Sequence, residues 1–174
     1  MKILSFGAST SSKSINRQLA LYAANQVRGA ELTDLDLRTF SLPIYSSDEE
    51  EANGIPSDAQ RFFDLIREHD AVVISLAEHN GSYAAAFKNL FDWATRIDQK
   101  IWANKPMLLL ATSPGGRGGS TVLEAAKTTF PHLGGDIRGG FSLPSFYDSF
   151  DPELGIKDKA LADALSEIVS NLSA

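Results

Sequence analysis

Five hydroxyl side chains, Ser9, Thr10, Ser11, Ser12 and Ser14, follow the apolar run MKILSF and precede a segment with helical spacing. A loop that leaves a strand and wraps onto a helix start exposes backbone N–H groups, and hydroxyls placed there converge on the same point. The helix end carries about half a positive charge, so a dianionic phosphate gains charge-assisted hydrogen bonds there without needing arginines. Serines also fill loops and cap helices, and one N-cap accounts for Ser14 by itself. No GxxxxGK[ST] loop occurs and GGRGG is not GxGxxG, so the cluster alone is a weak signal.

Two further loops add weight. AEHNGSY (77–83) contains Asn80 and Gly81, and a glycine tolerates the positive φ that turns backbone amides toward a planar ligand edge. Ser82 is expected to cap the helix behind it; a plain turn followed by a cap explains the same residues. TSPGGRGGS (112–120) places four glycines around Arg117, which permits close backbone approach to a ligand or simply a flexible turn.

The elements that must position these loops are legible from hydrophobic spacing. KILSF (2–6), ELTDLDL (31–37), AVVISLA (71–77), PMLLLAT (106–112) and DIRGGFSL (136–143) read as strands. The third and fourth are continuous apolar runs suited to central, doubly covered positions, whereas the more polar second and fifth suit edges. Between them, Ile15, Leu19, Tyr22, Ala23 and Gln26 predict a helix stopped by Gly29. Ser57 with Gln60 after Pro56, Ser82 ahead of a stripe running to Ile97, and Thr121 with Glu124 before Pro131 predict three more helix starts. Ala160 to Leu172 predicts the last. The connection 38–55, rich in Pro, Gly, Asn and acids, reads as a mobile surface loop. Strands alternating with helices imply a doubly wound, three-layer α/β fold with a parallel sheet, in which ligands sit outside the carboxyl ends of the strands. The three unusual loops all follow strands and fall at that edge.

Composition narrows the class. The chain has 174 residues, 43% hydrophobic and 22% charged, the makeup of one globular domain over 1–174. A formal charge of −6 and no basic stripe argue against nucleic acid as a partner. The absence of cysteine removes disulfides and thiol chemistry and fits a reducing cytoplasm. No signal-peptide core and no run of eighteen apolar residues are present, so neither export nor a membrane is expected. No GxSxG, HExxH or Cys/His cluster points to a hydrolase or a metal site. His79 reads as a surface or structural histidine rather than a proton donor, His69 and His132 still more so, and Trp93 and Trp102 as packing or subunit-interface residues.

Three segments carry a resemblance. GASTSSKSINRQL (7–19) looks like GSxRxxSxNxxL, EHNGSYAAAFKNLFDW (78–93) like PEYNGSxPxxLKNxxDW, and KPMLLLATSPGGRGG (105–119) like KPxxxxxxSxGxxGG. On these segments the chain resembles the NAD(P)H-dependent FMN reductase family, which includes flavodoxin-like quinone, chromate and azo-dye reductases. The resemblance implies a flavodoxin-like five-stranded parallel sheet of order 2-1-3-4-5 and FMN as cofactor, with NAD(P)H as co-substrate. It implies that Ser9, Ser11, Ser14, Ile15 and Asn16 hold the phosphate, that Glu78, His79, Asn80 and Gly81 line one edge of the ring, and that Ser113, Gly115 and Gly116 approach its pyrimidine end. The flavin would carry the chemistry, with no catalytic side chain and no metal, passing hydride by a ping-pong route to a flavin, quinone or similar small acceptor. A homodimer or homotetramer is expected from the same family. Three departures stand out: the phosphate-loop Arg is missing from GASTSSKSIN, leaving Lys13 or an extra serine in its place, and Ala77 and His79 replace Pro and Tyr. The alternatives are a flavodoxin-type electron carrier, which would not oxidise NAD(P)H steadily, and a ligand-binding protein with a decayed flavin site, which would not bind FMN.

Overall fold

The structure, a computed structural model, describes residues 1–173. The chain runs through β1 (Lys2–Ala8), α1 (Ile15–Ala24), β2 (Glu31–Asp34), α2 (Ser47–Asn53), α3 (Ser57–Glu68), β3 (Ala71–Leu76), β4 (Glu78–His79), β5 (Ser82–Tyr83) and α4 (Ala85–Ile97). It continues through β6 (Pro106–Thr112), α5 (Ser120–Thr129), β7 (Asp136–Leu143), α6 (Phe146–Ser149), β8 (Phe150–Asp151), β9 (Gly155–Ile156) and α7 (Lys159–Ser170). The five long strands form one parallel sheet in the order β2-β1-β3-β6-β7. This is the expected 2-1-3-4-5 order once the two short hairpins, β4-β5 and β8-β9, are set aside.

Burial follows strand composition. Every residue of β3 is buried, and so is all of β6 after Pro106, because helices cover both faces. One core layer gathers Phe6, Phe62, Phe87, Phe91, Trp102 and Phe130 beneath α3, α4 and α5. The other gathers Ile3, Leu19, Val73, Leu110, Phe146 and Leu165 beneath α1 and α7. Trp93 and Trp102 are fully buried packing residues. Among the described residues no helix is long and apolar enough to cross a membrane.

The helix starts differ from expectation in an instructive way. Ser57 is already the first residue of α3, with Pro56 as cap and no side-chain cap bond. Ser82 lies in the β4-β5 hairpin, and α4 begins behind Ala84. The cap of α5 is Gly119 at φ 73, so Thr121 and Glu124 form no capping box. The second strand stops at Asp34, and a 3-10 turn at Leu37–Thr39 takes the rest of the expected run. The connection 38–55 is not loose: it holds α2, and Asn89 and Trp93 of α4 both donate to the Pro43 carbonyl, at 2.9 and 2.8 Å. Asn89 also accepts from the Tyr45 N–H at 2.9 Å, so the KN and DW positions pin this connection.

Ser5, in the middle of β1, is fully buried and its hydroxyl has no partner among the described residues. A buried, unpaired hydroxyl forfeits its water contacts for nothing in return. Ser5→Ala is therefore expected to raise the unfolding free energy by about 1 kcal/mol in urea titration, and a loss instead would mean that the hydroxyl is paired.

Candidate functional site

The exits of β1, β3 and β6 meet over one cleft of about 210 Å³ lined by Ser9, Ser11, Lys13, Ser14, Ile15 and Asn16, by Ala77, Glu78 and His79, by Thr112, Ser113 and Pro114, and by Tyr147. Eight of the twelve sequence candidates are thus brought together. Asn80 and Gly81 sit at the hairpin tip and Gly115 and Gly116 farther along the third loop.

In the first loop each key hydroxyl accepts a bond from the loop's own backbone. Ser9 Oγ accepts from Ser11 N–H at 3.1 Å, Ser11 Oγ from Lys13 N–H at 3.3 Å, and Ser14 Oγ from Arg17 N–H at 3.1 Å as the N-cap of α1. Accepting through a lone pair fixes the oxygen and leaves the hydroxyl proton to donate outward. The N–H groups of Thr10, Ser12, Ile15 and Asn16 take no acceptor among the described residues. These are donors with no committed partner at a helix start, the kind of place where an anion can be held. Lys13 is exposed, lines the cleft and enters no ion pair among the described residues. Arg17 turns away: its guanidinium meets Asp34 at 2.9 Å and Asp36 at 3.0 Å beyond the end of β2. Those carboxylates, Asp34 first, raise the Arg17 pKa. Asp36 is held well below the usual carboxylate range, chiefly by the Arg38 side chain, with the Arg38 N–H and the Arg17 charge adding to it against the opposing pull of burial.

Beneath the cleft runs a buried chain of hydrogen bonds that sequence reading did not find. Asn16 Oδ1 accepts from the Ser75 hydroxyl at 2.7 Å and from the Thr112 N–H at 3.0 Å, while its Nδ2 donates to the Thr112 carbonyl at 3.1 Å. Thr112 Oγ1 then donates to the Leu143 carbonyl at 2.7 Å. The helix after β1 is thereby tied to β3, β6 and β7 just where their loops depart. The Asn16 side chain is thus largely committed to the scaffold, and its backbone N–H is left without an acceptor among the described residues. The available signal was a lone serine in the apolar run AVVISL and a threonine closing PMLLLAT.

The second loop is a two-residue hairpin turn with Asn80 at φ 52 and Gly81 at φ 73, the left-handed pair that Asn-Gly favours. The side chain of Glu78 crosses to the third loop, where Oε2 accepts from the Val122 N–H at 3.0 Å in the first turn of α5. A carboxylate supplied from another loop does the work of the missing cap. In the third loop, Ser113 Oγ donates to the Gly115 carbonyl at 3.1 Å. A Cβ at Gly115 or Gly116 would meet nothing, whereas one at Gly118, φ 59, would strike the Leu143 backbone at 2.9 Å. The first pair leaves room above the loop, and Gly118 packs it down. His79 is exposed on the hairpin. Buried His69 is fully engaged, with Nδ1 at 2.6 Å from the Leu65 carbonyl and Nε2 at 2.7 Å from Thr33 Oγ1. Among the described residues no cluster of three or more His, Cys, Asp or Glu is placed to hold a metal.

The family model for NADPH-dependent FMN reductase matches residues 1–148. The chain belongs to that family. An NADPH:quinone oxidoreductase of Arabidopsis thaliana is 28% identical over 151 residues, 85% of this chain and 76% of the plant protein. The quinone reductase of Escherichia coli K12 is 34% identical over 79 residues, 45% of this chain and 42% of that enzyme. Among solved structures, the flavoenzyme NAD(P)H:(acceptor) oxidoreductase FerB from Paracoccus denitrificans superposes with a TM-score of 0.76 at 27% identity, covering 98% of this chain and 94% of its own. A Pseudomonas aeruginosa flavodoxin mutant, at 18% identity and a TM-score of 0.59 over the full length of both chains, shares the fold. The matched span of the family contains all three loops of the cleft.

Proposed function

We propose that this chain is a single-domain oxidoreductase that binds FMN in the cleft and passes electrons from NAD(P)H to a small acceptor such as a quinone or free flavin. The observation that carries the reading is the first loop, where the N–H groups of Ile15 and Asn16 have no acceptor among the described residues and three backbone-anchored hydroxyls line the same cleft at the start of α1. These groups fit a dianionic phosphate, and Lys13 takes the place of the arginine that similar loops carry. The open space at Gly115 and Gly116 suits the edge of a planar ring, and their N–H groups can donate to it.

Bound there, FMN supplies the hydride and electron transfer. The protein's own part is to hold and to polarise. Ser9, Ser11, Ser14 and the N–H of Asn16 would hold the anionic end, the Asn80-Gly81 turn would bound the second side, and the N–H groups of Gly115 and Gly116 would donate toward the end of the ring that gains negative charge. A cleft open to solvent on one side lets NAD(P)H and the acceptor use the same face in turn, a ping-pong cycle. A homodimer or homotetramer working in the cytoplasm accords with this reading.

The test is an absorption spectrum of purified protein with and without added FMN, followed by NAD(P)H oxidation with a quinone. A bound flavin band, and parallel double-reciprocal lines as the acceptor is varied, support the reading. No flavin binding would end it, and flavin binding without NAD(P)H oxidation would make the chain an electron carrier.

A further inference from the structure

A fourth strand exit reaches the cleft, and it brings an aromatic ring. Tyr147 lines the same cavity as Ser9, Ser14 and Ser113 yet is 68% exposed, one of few large hydrophobic side chains left in water. Its backbone is held firmly. Ser145 adopts a left-handed conformation at φ 48 without being glycine. Its N–H donates to the Gly115 carbonyl at 3.0 Å, and the Phe146 N–H donates to the Ser113 carbonyl at 3.0 Å. Phe146 is buried and stacked on Phe150 with centroids 4.8 Å apart, and the Tyr147 ring stands edge-on to it at 5.8 Å.

A strained residue, two bonds to the third loop and a buried aromatic anchor thus serve to present one exposed ring. Strain of this kind persists where the surroundings over-determine it, and it gathers at ligand clamps. Apart from that one edge contact with Phe146, the Tyr147 ring meets water over most of its surface. A ligand filling the cleft would cover that surface and remove apolar area from water.

We propose that Tyr147 is the cover of the cofactor cleft, its aromatic face closing over bound flavin and slowing its departure. The inference rests on the flavin reading above. The ring is the working part, because the phenol oxygen has no partner among the described residues that would aim it. Lys13 brings a point charge to the first loop without the forked donors of an arginine, so retention depends the more on such a cover.

The experiment measures FMN release from wild type, Tyr147→Phe and Tyr147→Ala by stopped-flow chase, with flavin fluorescence followed as FMN binds. The expected result is release about tenfold faster from the alanine variant and within about twofold of wild type for phenylalanine, the scale of one aromatic contact. Because Tyr147 is the most exposed of the four tyrosines, added FMN should also protect it from nitration by tetranitromethane in the unaltered protein. An alanine variant that melts at the wild-type temperature and holds FMN as long as wild type does would overturn the inference while leaving the flavin reading in place. Nitration of Tyr147 at the same rate with FMN bound would also overturn it. Failure of the wild type itself to bind FMN overturns both, and is recognised by the absence of any spectral change in that sample.

Discussion

Asn16→Ala is expected to lower the unfolding free energy by about 3 to 5 kcal/mol, the scale of losing three buried hydrogen bonds and stranding the groups that made them. Removing the side chain leaves the Ser75 hydroxyl and both backbone groups of Thr112 without partners, in a region where Ser75 is 0% and Thr112 1% exposed. No water reaches that interior cheaply, so the desolvation of each group is not repaid. A domain of this size holds about 5 to 15 kcal/mol of stability, so the variant still folds when cool and its flavin affinity can be measured. That affinity should fall as well, because the first and third loops lose the bond that sets their spacing. Ser75→Ala, which removes a single donor, should cost only about 1 kcal/mol. Urea titration of both variants separates a scaffold asparagine from one whose side chain serves mainly the phosphate: in the latter case FMN binding falls and stability barely moves.

Gly7→Ala is the second large effect, and its cause is a collision between backbones. A Cβ on Gly7 would lie 2.3 Å from the Arg17 nitrogen, 2.7 Å from its Cα and 2.8 Å from the Asn16 carbonyl carbon. No rotamer relieves a clash with main chain, so α1 must move off the sheet and take the Ser14 cap and the Asn16 bonds with it. The expected loss is about 3 kcal/mol or more, with weakened flavin retention. Gly115→Ala is the matched control, since its Cβ would meet nothing; its stability should stay within about 0.5 kcal/mol of wild type. Thermal or urea unfolding of the pair decides the matter, and a Gly7→Ala protein as stable as the Gly115→Ala control would show that α1 does not press on β1.

Asn16, Ser14 and Gly7 show where sequence reading reaches its limit. Ser14 was legible as a helix cap because capping is local: one side chain, one N–H three residues on. Asn16 was legible as a member of the loop, but its partners lie 59 and 96 residues away. Nothing in the residues near Asn16 says which strand ends will close on it. The same holds for Glu78, whose carboxylate caps a helix 44 residues onward, and for Tyr147, whose place in the cleft depends on β7 pairing with β6. The helix caps expected at Ser57, Ser82 and Thr121 failed for the converse reason: the local pattern was present, but Pro56, a hairpin and Gly119 took those positions.

Sequence by itself determined the alternation of strands and helices, the central place of AVVISL and PMLLLAT, the sheet order through its family resemblance, and the three loops that meet at the cleft. These follow from periodicity, apolar runs and turn residues, all of which act over a few neighbours. Tertiary structure alone decided which donors are free and which are consumed. It committed the Asn16 side chain to Ser75 and Thr112, turned Arg17 outward onto Asp34 and Asp36, and brought Tyr147 over the cleft. The physical reason is that a hydrogen bond or a clash depends on distance in space, and in a parallel sheet adjacent strand ends are separated along the chain by an entire crossover helix.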